Sequence, residues 1–265
     1  MTWRPAFSLA HREMVRFFRQ RSRVLSAMVT PVLFWAVIGS GLGKSFHAPG
    51  SPEDVGPLEF LFPGTLLMIV LFAAIFATIS IIEDRREGFL QSVLVAPVSR
   101  GAIVLGKMFG STTIAMVQVL PVLLFAPFAG LRMTIPAVGI AAGVLVLVAF
   151  GLSGLGFLIA WRLDSVQGFH AIMMLLLMPM WMLSGAMFPQ STAPGWLRLI
   201  MAFNPMTYAL AATRRGMYLG SGRPEIIGAG VPPLGISLGI SIGFAALMFG
   251  LASYQARRTT SGDLH

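Results

Sequence analysis

The stretch IGSGLGKSF, Ile38 to Phe46, ends in Gly43-Lys44-Ser45, the tail of a phosphate-cradling loop. Such a loop needs G-x-x-x-x-G-K-[ST], so that backbone N–H groups wrap a phosphate before a helix begins. Its first glycine would fall at position 38, where Ile38 stands, and Gly39 comes one residue late. The other chemistry-bearing residues are no better arranged. His11, His47, His170 and His265 are scattered over unrelated segments. Glu53, Asp54 and Glu59 cluster without a histidine at metal spacing, and are expected to form a solvated face. Asp164 follows Trp161-Arg162 and reads as half of a helix-end ion pair. With no cysteine, a disulfide framework or a thiolate metal site is excluded. Paired acids, a nucleophile with its base, and a metal-ligand set are all missing, so the chain is expected to be non-catalytic, with no metal and no cofactor of its own.

The elements that carry these residues are membrane helices. Of 265 residues, 56% are hydrophobic and 11% charged, against about 25% charged in soluble domains. Such a chain cannot cover a water-facing surface. A bilayer core of about 30 Å takes roughly 20 apolar residues as helix. Six runs qualify: Val24–Leu42, Leu61–Ile82, Met108–Phe128, Pro136–Trp161, Ala171–Phe188 and Pro232–Tyr254. None of these runs contains Asp, Glu, Lys, Arg or His. A seventh, Leu197–Thr213, is interrupted by Phe203-Asn204-Pro205-Met206. Proline removes a donor and pushes its predecessor out of the α region, so this run is expected to be a re-entrant or interfacial hairpin.

The formal charge of +9 does not point to nucleic acid, because the basic residues flank apolar runs. With six spans, the 19 Lys and Arg divide 13 to 6. Arg4, Arg12, Arg16, Arg19, Arg21, Arg23, Arg85, Arg86, Arg100, Lys107, Arg162, Arg257 and Arg258 fall on one side. Lys44, Arg132, Arg198, Arg214, Arg215 and Arg223 fall on the other. The positive-inside rule then makes both termini cytoplasmic. Arg214-Arg215 is the awkward pair, since a seventh span would carry it inside. Lys44 falls outside, where cytoplasmic ATP cannot reach, which rejects the nucleotide loop a second time. The polar N-terminal region is too long for a cleaved signal peptide.

Two cytoplasmic segments carry more information. In residues 2–23, Trp3, Phe7, Ala10, Met14 and Phe17 form one helical stripe. Arg4, Ser8, Arg12, Arg16, Arg19 and Arg23 form a second, polar one. This pattern predicts a helix lying in the membrane interface. Residues 83–101, EDRREGFLQSVLVAPVSRG, lie between the second and third spans. Glu83, Asp84, Arg85, Arg86 and Glu87 mix signs, and Phe89, Leu90, Val93 and Leu94 then make an apolar patch that has to be buried against lipid or a partner. Pro97 stops that helix and Ser99 caps the next.

These residues resemble the permease subunits of type-2 ABC transporters, drug- and polysaccharide-exporting members among them. The resemblance rests on FLFPGTLLMIVLFAAIF (Phe60–Phe76), on Glu83–Lys107 with Glu87-Gly88, Leu94, Pro97 and Gly106-Lys107, on MLSGAMFP (Met182–Pro189), and on Phe203–Gly220. It covers nearly the whole chain. It implies an all-α integral membrane protein of the bacterial inner membrane, with an interfacial helix (1–23), one transmembrane domain (24–255) and a cytoplasmic tail (256–265). It implies two permeases, identical or paired, assembled with two ATP-binding subunits that hold the ATP and magnesium. Glu83, Asp84, Arg85, Arg86, Glu87, Gly88, Phe89, Leu94 and Pro97, with Trp3, Phe7, Met14 and Phe17, would meet those subunits and the membrane surface. Phe72, Phe76, Met174, Met178 and Trp181 would line the substrate path. Phe203, Asn204, Pro205 and Tyr208 would belong to an outer lid. The expected function is export of a hydrophobic or amphipathic drug-like or lipid molecule. Export of a polysaccharide or lipid-linked glycan is the alternative within the family, and an ion-coupled carrier the alternative outside it. Charge-free spans disfavour the carrier, which usually needs intramembrane ionisable groups.

Overall fold

The computed structural model describes residues 3–19, 29, 32–33, 35–41, 55–131, 133–219 and 230–258. The side chains of Trp3 and Leu94 lie outside the described part, as do Gly43-Lys44-Ser45, His47, Glu53, Asp54, Arg132, Arg223, His265 and part of the first expected span. Everything regular among the described residues is helical: α1 (Trp3–Arg19), α2 (Pro57–Ala77), α3 (Ile79–Arg86), α4 (Phe89–Val95), α5 (Arg100–Leu123), α6 (Ile135–Ala160), α7 (Val166–Trp181), α8 (Gly195–Phe203), α9 (Pro205–Met217) and α10 (Leu234–Arg258).

Among the described residues, five helices are long and apolar enough to cross a membrane: Pro57–Arg86, Arg100–Leu123, Ile135–Ala160, Val166–Ala186 and Leu234–Arg258. They match five of the six expected spans, with shifted ends. An apolar count stops at the first charge, but a helix stops where its backbone is capped. Ser99 accepts from the Ala102 N–H at 3.3 Å and starts α5 eight residues ahead of the apolar run. Ser165 accepts from the Gly168 N–H at 3.2 Å and starts α7 five residues early. Lys107 and His170 therefore lie inside membrane-length helices, which corrects the expectation of spans free of ionisable groups. Of the first expected span, residues 35–41 are helical. Trp35 packs edge-on against Phe62 at 5.5 Å and donates to the Leu58 carbonyl at 2.9 Å.

The bundle is built around α2, which is buried on almost every side. At Thr78 the hydroxyl donates to the Ile75 carbonyl at 2.6 Å, and the helix slips before running on as α3. Gly156 of α6 faces this point, where a Cβ would meet Thr78 Oγ1 at 2.7 Å. α5 and α6 pack on α2, and α10 packs on α6. α7 buries the stripe Phe169, Met173, Leu177 and Trp181, spaced four apart, against the bundle, with Val166 and Met180 half-buried, and turns Ile172, Met174, Leu175, Leu176 and Met178 outward. One end of the bundle gathers α1, α3, α4, the α6–α7 turn and the C-terminus of α10, where Gln255 donates to the Leu158 carbonyl at 3.3 Å. Of the basic residues expected on one side, those among the described residues meet at this end. The opposite end holds α8, α9 and the N-terminus of α10.

Arg214 and Arg215 lie at that opposite end, and backbone carbonyls absorb them. Arg214 donates to the Phe60 and Gly185 carbonyls at 3.3 and 3.4 Å and sits over the Phe60 ring. Arg215 donates to Val231 and Pro232 at 2.7 and 2.6 Å. Glu59, expected in a solvated face, is buried and accepts from the Tyr218 hydroxyl at 3.2 Å.

Candidate functional site

The packing of α1 begins with two glycines of α5. A Cβ at Gly106 would stand 2.8 Å from the Ala6 carbonyl oxygen, and one at Gly110 would stand 2.9 Å from Glu13 Cβ. The missing side chains let the two helices approach closely, and α1 buries Ala6, Leu9, Glu13 and Phe17 there. This face differs from the expected aromatic stripe, of which Phe17 is buried, Met14 half-buried and Phe7 exposed. The exposed Phe7 and Phe18 lie on the flank of α1 away from the bundle.

Close approach brings charges together. Lys107 of α5 donates to Glu13 of α1 at 2.5 Å, to Ser80 of α3 at 3.3 Å, and to Asp84 of α3. Lys107 and Glu13 are 3% exposed and Asp84 not at all. Asp84 also accepts from Arg12 at 2.9 and 3.1 Å and from Arg16 at 3.1 Å. Arg16 reaches on to Glu83 at 3.1 Å and Glu87 at 3.0 Å. A buried charge is tolerable only when partners replace its lost water, and here each buried charge has more than one. The cluster joins α1, α3 and α5. Sequence reasoning named Lys107 only within the Gly106-Lys107 pair of the resemblance, and did not name Glu13. Glu13 and Lys107 are 94 residues apart, and no local spacing carries that pairing.

On its other side α3 holds the α6–α7 turn. Arg85 donates to Asp164 at 2.7 Å, to the Leu163 carbonyl at 3.4 Å and to the Trp161 carbonyl. Arg86 donates to the Asp164 carbonyl at 3.0 and 2.6 Å. Asp164 is thus half of a helix-end ion pair, as expected, and its side chain is 86% exposed. The carbonyl contacts matter more than the charge pair, since they satisfy the end of α6. Asp164→Ala should change stability by about 0–1 kcal/mol. Arg85→Ala, which strips two backbone acceptors of their donor, should cost about 1–3 kcal/mol. Thermal unfolding of the two purified variants checks this order.

Gly88 turns the chain into α4 with φ +73, a left-handed conformation that glycine adopts without strain. The helix ends at Ala96, extended before Pro97. Much of its apolar patch is satisfied within the chain. Leu90 is buried, Val93 packs on the core, and Phe89 lies under the Arg12 guanidinium at 3.7 Å. Of the residues expected to meet a partner, Asp84 has no exposed surface, Glu83, Arg85 and Arg86 are tied to neighbouring elements, and Glu87 and Pro97 face outward, with Val95 beside them. A cleft of about 570 Å³ opens in this corner, lined by His11, Arg12, Val15, Arg16, Arg19 and Glu87.

The residues expected along a substrate path fall on α2 and α7. Phe72 and Phe76 are half-buried with ring centroids 5.7 Å apart, and Met174 and Met178 are exposed. Trp181 is buried and donates to the Gly64 carbonyl at 2.8 Å. There it holds the end of α7 to α2.

After Trp181 the helix widens into a π turn, Met182–Ala186, which ends its regular course at Gly185 with φ +93. α8 and α9 follow, joined at Asn204. The Asn204 side chain accepts from the Met206 N–H at 3.0 Å and donates to the Met180 carbonyl at 2.7 Å, so it caps α9 and pins it to α7. Pro205 opens α9 at its first turn, where no donor is needed. Tyr208 donates to the Ala202 carbonyl at 2.9 Å and Phe203 is exposed.

The family model that describes the ABC-2 type transporter matches residues 5–218. A protein bearing the transport-permease name ycf38, from Cyanophora paradoxa, is 27% identical over 78% of this chain and 72% of its own length. The daunorubicin resistance ABC transporter permease protein DrrB1 of Streptomyces coeruleorubidus is 25% identical over 89% of this chain and 80% of its own. Nodulation protein J of Rhizobium leguminosarum bv. viciae is 24% identical over 89% and 86%.

Proposed function

This chain belongs to the ABC-2 type transporter family, and from that membership we propose that it is the membrane-spanning permease subunit of an ATP-driven exporter, coupled to a separate ATP-binding subunit. Members of the family work with ATP-binding subunits in ABC transporters. The observation that carries the assignment to this chain is the corner built by α1, α3 and α4. There Glu87, Val95 and Pro97 face outward beside an open cleft, on elements joined by buried ion pairs to the spanning helices. A load applied at that surface reaches α3 and α5 directly.

In this reading the end carrying α1 is cytoplasmic, as the distribution of Lys and Arg favours. α1 lies in the membrane interface with Phe7 and Phe18 toward lipid. A second permease copy or a paralogue faces the open side of α2 and α7, and the cargo passes between them. α8 and α9 re-enter from the outer face as a lid. The apolar, Met- and Phe-rich surface of α7 fits a hydrophobic or amphipathic cargo, in keeping with a relative named for daunorubicin resistance.

Co-expression with an ABC ATP-binding subunit, followed by purification and reconstitution, tests the assignment. Expected are co-purification and uptake of a lipophilic cation that requires ATP and survives collapse of the ion gradient. Failure to co-purify, with uptake that follows the ion gradient alone, would establish a secondary carrier instead. Glu87→Ala and Leu94→Asp should each lower ATP-dependent uptake at least about fivefold, the effect of about 1 kcal/mol, while hydrolysis continues. Wild-type coupling in both would remove this surface from the role.

A further inference from the structure

His170 stands in the second turn of α7 and is exposed. Among the described residues, every other exposed Asp, Glu, Lys, Arg or His of the five spans sits in a helix's last turn. Its ring stacks on Phe76 of α2, centroids 4.9 Å apart and planes inclined by 26°. Phe76 in turn meets Phe72 at 5.7 Å and Phe169 edge-on at 6.5 Å. Phe169 backs the stack from the buried side, and Phe72, Phe76 and His170 form one aromatic platform across the α2–α7 face.

The imidazole is oriented as well as stacked. Its Nδ1 lies 2.9 Å from the Val166 carbonyl oxygen. A carbonyl oxygen only accepts, so Nδ1 carries a proton and donates. That leaves Nε2 as the ring nitrogen free to meet a ligand, and it has no partner among the described residues. The rest of the platform offers only aromatic surface. A flat apolar ring can lie on it, and a donor on that ring's edge finds one polar group to pair with.

We propose that His170 is a specificity-determining residue of the substrate path, selecting amphipathic molecules that combine a planar ring with a hydroxyl or amine donor. The planar ring lies on the apolar surface beside the imidazole, not over its face, with its edge in the imidazole plane, so that the donor reaches the Nε2 lone pair. This rests on reading the α2–α7 face as the substrate path. A pocket that hydrogen-bonds a donor discriminates against the analogue lacking it, because its own polar group is then left unpaired.

The test is equilibrium binding of β-naphthol and of its methyl ether to the full chain in detergent, without ATP. Binding to wild type is expected to favour the naphthol over the ether by about tenfold more than binding to His170→Phe does, the effect of one lost hydrogen bond. His170→Phe keeps the stack and loses the nitrogen. Phe76→Leu, which removes the platform and keeps the nitrogen, should weaken both probes while leaving their ratio near the wild-type value. The same ratio in wild type and His170→Phe, or no binding of either probe to wild type, overturns the proposal. Because no nucleotide is involved, an error in the ATP-driven reading shows separately, as a preserved binding ratio with no ATP-dependent uptake.

Discussion

Lys107→Met should destabilise the protein by about 3–5 kcal/mol, because removing one partner of a buried ion pair leaves uncompensated charge. Methionine fills most of the lysine stem's volume, so the loss is electrostatic rather than steric. Glu13 loses its hydrogen-bonded cation and keeps only the more distant Arg12 at 3.8 Å, and Asp84 is left with Arg12 and Arg16 alone. A lowered thermal midpoint in detergent measures the effect. The second arm is Glu13→Gln combined with Lys107→Met. Neutralising Glu13 removes most of the uncompensated charge, so the double variant should be more stable than the sum of the two single changes predicts, by about 0.5–3 kcal/mol. Strict additivity would mean that the cluster is no energetic unit.

Gly106→Leu should undock α1 while leaving the bundle folded. The new Cβ would start 2.8 Å from the Ala6 carbonyl oxygen and 2.9 Å from Leu9 Cβ. Backbone oxygen cannot rotate away as a side chain can, so the helices have to part. Overpacking of this kind costs about 1–3 kcal/mol, and parting also stretches the ion pairs of Glu13. Hydrogen exchange checks this locally: α1 amides should lose protection and α6 amides keep theirs. Gly101→Ala serves as the control. It lies in the first turn of the same helix with nothing within 4 Å of its Cβ, and should be neutral or stabilising by up to about 1 kcal/mol. Unchanged protection of α1 in Gly106→Leu would show that the contact is not a close fit.

Much of this architecture was legible in the sequence, for a physical reason. A helix that crosses hydrocarbon needs about 20 predominantly apolar residues, so the spans announce themselves by composition. What composition cannot see is the end of a helix. Ser99 and Ser165 set the true starts of α5 and α7, and the residues gained in this way, Lys107 and His170, carry the chemistry. The amphipathic pattern of α1 was legible as a helix but misleading about its inner face. Trp3, Phe7 and Met14 drew attention because they are large, whereas the fit to α5 uses the small Ala6 and the charged Glu13 against glycines a hundred residues away. Glu59 read as solvated beside Glu53 and Asp54, because its partner Tyr218 lies 159 residues downstream. The segment after α3 was legible as a short helix with an apolar patch, stopped at Pro97. That Phe89 and Leu90 are consumed within the chain was not, since only the folded neighbours decide which side of so short a helix faces in.

α3 is keyed on both flanks. One side of this two-turn helix presents Ser80 and Asp84 to Lys107, and the other presents Arg85 and Arg86 to the α6–α7 turn. Rolling it by one residue, about 100° about its own axis, would unseat both sets together. Tilt and translation leave both engaged. The rod therefore resists torque and transmits thrust. A push on α1 arrives at the α6–α7 turn with little slack, while a twist is stopped where it starts.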